Sequence, residues 1–400
     1  MFTLELNLTS PAPVKPAVLD LSAEQLRAWL EARGQPAMRA RQLRRWLLTG
    51  RAESFEQMTD LPLGLRRALA DELLPLGTQI VRHLQAKDGT HKLLLRLGDG
   101  QLIECVLIQE ANRRTACIST QVGCGMGCVF CASGLAGVAR NLTAGEILEQ
   151  LVRLQNLLPL PSTHFPVRGE RNRGEGRRLT HIVVMGMGEP LANLDNLLAA
   201  LEVATAKDGL GMSARHVTIS TVGLPARIRR LADAGKQYHL AVSLHAPNDE
   251  LRSRIVPTNP KTGLDAILAA ADYFFQRTGR QVTFEYVLLR DLNDRKEHAR
   301  ELARLLRGRH AHVNLIPFND VEGLPYRRPT TEALTAFVEQ LRQAGISVKV
   351  RKRKGSEIDA ACGQLRRSEI GSQQAVVGSR SEVKGPRVQI DDQEWADQTG

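Results

Sequence analysis

The sequence lacks the long apolar segments that membrane proteins need. No stretch of its 400 residues reaches the roughly 18 uninterrupted apolar residues that span a bilayer. Residues 1–16 contain neither the basic nor the apolar region of a signal peptide. We therefore expect a cytoplasmic protein with no membrane partner. In that reducing compartment, the six cysteines are expected to bind a metal, to act in catalysis or to pack in the core, because disulfide frameworks are rare there.

Aromatic residues are also scarce, with three Trp, four Tyr and nine Phe. This excludes a long stacking platform and disfavours a protein that coats single strands. Positive charge, by contrast, is in excess: 54 Lys and Arg against 43 Asp and Glu give a net charge of +11. A basic surface attracts polyanions and favours a nucleic acid partner, although it can also serve solubility alone.

The hydrophobic pattern divides the chain into four parts. Residues 1–20 are predicted to be a disordered tail, and residues 21–95 a small N-terminal helical accessory domain. Residues 96–365 form the main domain, and residues 366–400 a polar tail. In the accessory domain, a helix predicted over Arg39 to Leu48 surrounds an apolar stripe with arginines. That pattern is typical of a nucleic-acid-binding helix, and equally of a solvated basic face.

From Thr115 onward, predicted strands and helices alternate along the chain. Seven strands separated by helices require parallel crossovers, so the sheet is predicted to be largely parallel. Because no Gly-rich dinucleotide turn is present, we favour an open or partial (β/α) barrel over a doubly wound sheet. In such barrels the chemistry lies at the carboxyl ends of the strands. Residues 161–179 interrupt the pattern with five Arg, two Pro and three Gly, which predicts an extended basic loop, either a solvated insertion or an RNA contact.

Three cysteines follow the strand TACIS within the segment QVGCGMGCVFCASG. Cys124, Cys128 and Cys131 have the spacing C-x3-C-x2-C. A structural zinc site normally has four ligands, often as two C-x2-C pairs, and no second pair exists here. Three thiolates leave one position open, which suits a reactive cluster better than a closed structural ion.

This spacing resembles that of the radical SAM enzymes, in which three cysteines bind a [4Fe-4S] cluster and the open iron binds S-adenosylmethionine (SAM). The segment MGMGEP, directly after the strand HIVVM, resembles the motif that contacts the methionine amine of SAM. Over roughly residues 21 to 366 the chain resembles more specifically the RlmN group of 23S rRNA adenine C2-methyltransferases. The matching segments, in chain order, are CISTQVGCGMGCVFCASG, MGMGEPLAN, VTISTVG, SLHAPND, HVNLIPFN and IDAACGQLR.

The resemblance implies a fold and a set of site residues. The fold would be α/β, a partial (β/α) barrel of radical SAM type with the small N-terminal helical domain, and that domain, residues 21–95, would be an accessory RNA-binding domain. The cluster would be bound by Cys124, Cys128 and Cys131. The implied SAM contacts all follow predicted strands, as the barrel requires; they are Gly188, Glu189, Ser220, Ser243, Leu244, His245 and Asn319.

The resemblance also implies a route to an unreactive carbon. C2 of adenine lies between two ring nitrogens and has no lone pair to attack a methyl group, so the cofactor must supply the difficult chemistry. Two SAM molecules per turnover would be used, one to methylate a cysteine and one to activate that methyl group. Cys362 matches the methyl-carrying cysteine, Cys117 its partner in a transient disulfide that resolves the RNA adduct, and Glu104 the proton acceptor. From the sequence alone, Glu104 could equally be a salt-bridged edge residue. Cys105 matches no role and is expected to be structural.

Partners and alternatives complete the predictions. The expected substrate is 23S rRNA, with tRNA open as a second one, and the electron donor would be of flavodoxin or ferredoxin type. We expect a monomer. One alternative is a Cfr-like enzyme that methylates C8 of the same adenine. Another is a non-catalytic RNA-binding protein with a structural metal.

Overall fold

The computed structural model describes residues 15–135, 137–159, 178–320 and 324–351. Cys362, the polar tail after residue 365 and most of the basic segment 161–179 therefore lie outside the described residues. Within the described part of the chain, no helix is long and apolar enough to cross a membrane.

Three helices form the N-terminal part, and each buries one apolar stripe. The first begins with a capping box, in which Ser22 accepts from the amide of Gln25 while the Gln25 side chain accepts from the amide of Ser22. The second is the predicted basic helix, which begins one residue earlier than expected. The three helices are α1 (Ala23–Glu31), α2 (Met38–Leu48) and α3 (Leu63–Glu72).

Order begins before the predicted start at residue 21. Ala17 forms an isolated β-bridge with Leu74, and Val18 and Leu19 are buried. The expectation of a disordered tail through residue 20 is therefore wrong for residues 17–20, because this short apolar run fills the core beneath the helices. Its proline-rich surroundings hid it from a search for periodicity.

A ten-stranded open sheet forms the main domain, and a separate two-stranded hairpin accompanies it. Among the described residues the sheet does not close on itself, so the fold is the predicted partial barrel. The strands of the sheet are β1 (Gln79–Gln85), β2 (His91–Arg96), β3 (Leu102–Glu110), β4 (Arg113–Cys117), β7 (His181–Val184), β8 (Val217–Thr221), β9 (His239–Ser243), β10 (Val282–Leu288), β11 (Ala311–Pro317) and β12 (Ser347–Val350), and the hairpin pairs β5 (Gln121–Gly123) with β6 (Val138–Asn141).

The mode of strand pairing changes once across the sheet, from antiparallel to parallel at β4. From β4 through β7 to β12 the seven strands are parallel neighbours, as the alternation with helices predicted. Strands β1 to β4 pair antiparallel and extend the sheet at its N-terminal edge. The predicted domain boundary between residues 95 and 96 falls within β2, and the division of the chain stays a prediction.

Helices cover one face of the sheet. The side chains on that face, such as Ile182, Leu240 and Phe284, belong to one continuous apolar core. The opposite face, which we call the inner face, carries polar residues at alternate positions. The helices that follow the N-terminal part are α4 (Ala144–Asn156), α5 (Leu194–Thr205), α6 (Pro225–Asp233), α7 (Asp249–Ile255), α8 (Leu264–Thr278), α9 (Lys296–Leu305) and α10 (Thr331–Gln343). The inner face is defined by Lys92, Glu104, Cys117, Ser220, Ser243, Glu285 and Asn314.

Helix α4 joins the N-terminal helices to the barrel. Glu149 is 1% exposed, and its carboxylate accepts from the amides of Gly77 at 2.7 Å and Thr78 at 2.8 Å. The side-chain Nε2 of Gln155 donates to the Leu48 carbonyl oxygen at 3.0 Å. Since buried polar groups need such partners, these bonds fix the helical part against the barrel.

Candidate functional site

The cysteine loop lies between β5 and β6, at the carboxyl end of the parallel strands. The amide of Cys124 donates to the Gly137 carbonyl at 2.8 Å, and the amide of Val129 donates to the Ile255 carbonyl at 3.1 Å. The ring of Phe130 stands edge-on to His245, with 4.8 Å between ring centroids. The loop is thus held from both sides, by the hairpin and by the segments after β9.

The three thiols lie close enough to influence one another. The pKa of Cys124 is raised to about 12, chiefly by burial, with smaller contributions from Glu189 and Cys131. The pKa of Cys128 is also raised, first by burial and then by Cys131 and Cys124. Each of the three side chains keeps partial solvent exposure.

In the described part of the chain, no three His, Cys, Asp or Glu side chains converge on one point as a site for a single metal ion would require. In an iron-sulfur cluster each cysteine binds a different iron, so its thiols need not converge on one point.

The segment after β7, which contains Gly188 and Glu189, lies beside the cysteine loop. The amide of Gly188 donates to the Cys124 sulfur. Gly188 has φ 102°, and a Cβ there would lie 2.6 Å from the Cβ of Gln121. Only glycine allows this close approach at that backbone conformation.

Glu189 ties the ends of two strands together. Its carboxylate is 3% exposed and accepts from the Leu191 amide at 3.0 Å and the Val222 amide at 2.7 Å. Burial raises its pKa, while these hydrogen bonds act in the opposite direction. A carboxylate has about four acceptor positions, so capacity remains for an ammonium group.

Two predicted contacts, Ser220 and Ser243, meet on the inner face. Their hydroxyl oxygens are 3.5 Å apart, and both are partly exposed. Leu244, by contrast, points its side chain into the apolar core. Its amide donates to the Glu285 carbonyl, and its carbonyl accepts from Arg252 at 3.0 Å. Leu244 therefore offers no side-chain contact to a ligand on the inner face.

His245 is buried in an unusual backbone conformation. Its φ is 62°, its Nδ1 accepts from the Val287 amide at 3.1 Å, and burial, followed by Arg252, lowers its pKa to about 3. The ring is therefore neutral at physiological pH, with Nε2 carrying the proton as a hydrogen-bond donor. Asn319, after β11, accepts from Arg328 at 3.2 Å and is partly exposed.

Arg252 was missed by the sequence analysis. It is 1% exposed, and its guanidinium donates to the carbonyls of Leu244, Val222 and Ser243. Burial lowers its pKa to about 10, and Cys128 opposes that effect. This cation therefore holds together the chain ends that carry the predicted SAM contacts. The apolar residues Leu251 and Ile255, which flank Arg252 in the sequence of α7, are a signal that could have indicated its burial.

Glu104 and Cys117 lie on neighbouring antiparallel strands. Cys117 pairs with Val106, and Glu104 lies two residues before Val106 in β3, on the same inner face. Glu104 forms an ion pair with Lys92, with 2.9 Å between Oε2 and Nζ. Sequence reasoning allowed a salt-bridged Glu104 but missed Lys92. Cys105 points to the opposite face, into the core, as expected for a structural cysteine.

Comparison with protein families identifies both parts of the chain. The family model for the radical SAM superfamily matches residues 167–306. The model for the ribosomal RNA large subunit methyltransferase N-terminal domain matches residues 17–74. The second match begins at the ordered residues before α1.

Individual relatives match over most of their length. The chain is 55% identical to a probable dual-specificity RNA methyltransferase RlmN of Rhodopirellula baltica, over 90% of this chain and 93% of the relative. It is 44% identical to the protein of the same description from Thermosynechococcus vestitus, over 88% and 99%. The crystal structure of a radical SAM methyltransferase from Sphaerobacter thermophilus superimposes with a TM-score of 0.80, at 44% identity, over 87% of this chain and 98% of that one.

Proposed function

Because the chain belongs to the RlmN family of radical SAM RNA methyltransferases, we propose that it methylates C2 of adenine in 23S rRNA and in tRNA. The observation that carries this proposal is the inner face, where Glu104 and Cys117 lie on paired strands, with Glu104 two residues from Val106, the cross-strand partner of Cys117. The names of the relatives support two kinds of RNA substrate.

Radical SAM chemistry requires a [4Fe-4S] cluster and SAM, and the residues present fit both. Cys124, Cys128 and Cys131 would hold the cluster. Glu189 would accept a hydrogen bond from the SAM amine, and Ser220 and Ser243 would contact the ligand from the inner face. When bound, the two groups supply the one-electron chemistry that activates an otherwise unreactive carbon. We place two SAM molecules in each turnover, with a flavodoxin or ferredoxin as electron donor, and the enzyme in the cytoplasm.

The chain's own residues would carry out the methyl transfer, the proton transfer and the release of the base. Cys362, outside the described residues, carries the methyl group and becomes covalently linked to the RNA. Glu104 accepts the proton that leaves C2. The Cys117 thiolate then attacks the Cys362 sulfur and an S–S bond forms. The bond between that sulfur and the transferred carbon breaks, and the electron pair left on this carbon takes up a proton, which completes the methyl group and releases the base. His245, neutral and buried, accepts from the Val287 amide at Nδ1 and would offer its Nε2 hydrogen to SAM. Base flipping brings C2 to this face, because a stacked base edge could not reach it.

Nucleoside mass spectrometry tests the proposed product. A 23S rRNA fragment and a tRNA are incubated anaerobically with reconstituted protein, SAM and reductant, and digested RNA is compared with standards for both isomers. We expect 2-methyladenosine from each RNA. 8-Methyladenosine would assign the chain to the Cfr-like alternative. Colourless, air-stable protein after anaerobic reconstitution would contradict the cluster itself.

Two cysteine variants separate the stages of the reaction. Cys362→Ala should abolish RNA methylation while the visible absorbance of the cluster survives. Cys117→Ala should trap a covalent complex of protein and RNA, seen as a shifted band on a denaturing gel. Cys105→Ala is the matched control, because that cysteine faces the core, and it should turn over without trapping RNA. Normal turnover by Cys117→Ala would refute the role of Cys117.

A further inference from the structure

Lys92 is completely buried on the inner face. Its relative exposure is 0%, and that of Glu104 is 3%, with 2.9 Å between Nζ and Oε2. Lysine is almost never fully buried unless it is paired. The register explains the contact: Lys92 lies opposite Val106, two residues along β3 from Glu104, so both side chains leave the sheet on the same face.

The same register connects this pair to Cys117. Val106 lies between Lys92 on β2 and Cys117 on β4. The cation, the carboxylate and the thiol are therefore neighbours on three adjacent strands. Side chains that are directly or diagonally opposite across strands are close enough to interact when one of them is long. An ammonium group in this place acts on the carboxylate that faces the substrate base.

We propose that Lys92 is a positioning residue, which holds the Glu104 carboxylate through the buried ion pair and aims it at the substrate base. This inference rests on the proposed function, in which Glu104 accepts a proton from adenine C2. In that step the C–H bond at C2 breaks, its electron pair stays in the ring and the proton joins a carboxylate oxygen. An ammonium group 2.9 Å from one carboxylate oxygen fixes the orientation of the carboxylate by a charge-assisted hydrogen bond.

Resolution of the covalent RNA adduct is the stage at which Lys92 should matter. We would form the adduct with holoenzyme and a 23S rRNA fragment and follow its decay on denaturing gels. Lys92→Met should form the adduct but resolve it at least about tenfold more slowly than wild type, because the Glu104 carboxylate loses the ion pair that positions it. Lys92→Arg keeps a cation and should recover part of the rate. Adduct formation itself reports that each variant is folded and loaded.

Lys236→Met is the matched control. It removes a lysine from an ion pair with Glu202, in which the side chains are 44% and 72% exposed, and should resolve the adduct at the wild-type rate. Glu104→Gln tests the proposed function separately and should itself slow resolution. In the Glu104→Gln background, Lys92→Met should cause no additional slowing, since Lys92 acts through Glu104. This neutral double variant also avoids a lone buried charge.

The outcomes distinguish the two levels of the proposal. If Glu104→Gln slows resolution and Lys92→Met does not, the inference about Lys92 is overturned and the proposed function stands. If Lys92→Met slows resolution equally in wild type and in Glu104→Gln, Lys92 acts independently and the inference is also overturned. Wild-type resolution by Glu104→Gln would overturn the proton acceptor, and Lys92 would lose its role with it.

Discussion

Replacing Gly188 by alanine should damage the site by two separable effects. The first is backbone strain, because φ is 102°, a region that costs a residue with a Cβ about 1–3 kcal/mol. The second is crowding, because the new Cβ would lie 2.6 Å from the Gln121 Cβ and 2.7 Å from the Gln121 backbone nitrogen. Overpacking of this kind costs about 1–3 kcal/mol. Together these effects lower the free energy of unfolding by about 2–6 kcal/mol.

Gly235→Ala separates strain from crowding. Gly235 has φ 66°, and nothing lies within 4 Å of a Cβ built there, so only the left-handed backbone contributes, at about 1–2 kcal/mol. Denaturant titrations of both variants measure the difference. Iron content provides a second readout, because the Gly188 amide donates to Cys124 and a displaced amide should weaken cluster retention in Gly188→Ala alone. Equal destabilisation and equal iron content in both variants would refute the reasoning.

Two further predictions concern buried charges. Arg252→Met should destabilise the fold by about 3–5 kcal/mol and weaken SAM binding measured by calorimetry, because three carbonyls near the site lose their donor. Arg254 is exposed on the same helix, and Arg254→Met should change neither stability nor SAM binding. Burial raises the pKa of Glu149 above its ordinary 4.5, so the folded state binds this proton more tightly than the unfolded state does. The free energy of unfolding therefore falls as the pH rises above 4.5. Relative to Glu149→Gln, wild type should therefore lose up to about 1.4 kcal/mol per pH unit in denaturant titrations as the pH rises from 4.5 toward the raised pKa of the folded state; a constant difference would contradict this sign.

Much of the barrel was predictable because its pattern is local. Each parallel strand is a short apolar run followed by polar or glycine residues, and each helix that follows carries an apolar stripe. The capping box of Thr143 and Glu146 at the start of α4 was predicted and is present. Motif residues such as Glu189 and Ser243 were correctly expected at strand ends, since that placement depends only on where a strand stops.

What the sequence did not reveal depends on neighbours distant in the chain. Lys92 in HKLLLR has the pattern of a solvated strand position, and only the register with β3 places it beside Glu104. Arg252 similarly has the appearance of a surface helix residue until α7 packs over the ends of β8 and β9. Leu244 was assigned to SAM by its place in a motif, whereas strand alternation directs its side chain into the core.

The hydrogen bonds of α4 have a consequence for exchanging parts between related enzymes. Glu149 and Gln155 lie on a barrel helix, yet their partners Gly77, Thr78 and Leu48 belong to the N-terminal segment. A chimera that transplants residues 17–78 onto a foreign barrel would leave these buried groups facing a mismatched surface. The N-terminal part and the side of α4 that it contacts must therefore be exchanged together. A change in RNA preference that remodels the N-terminal helices must preserve these contacts with α4.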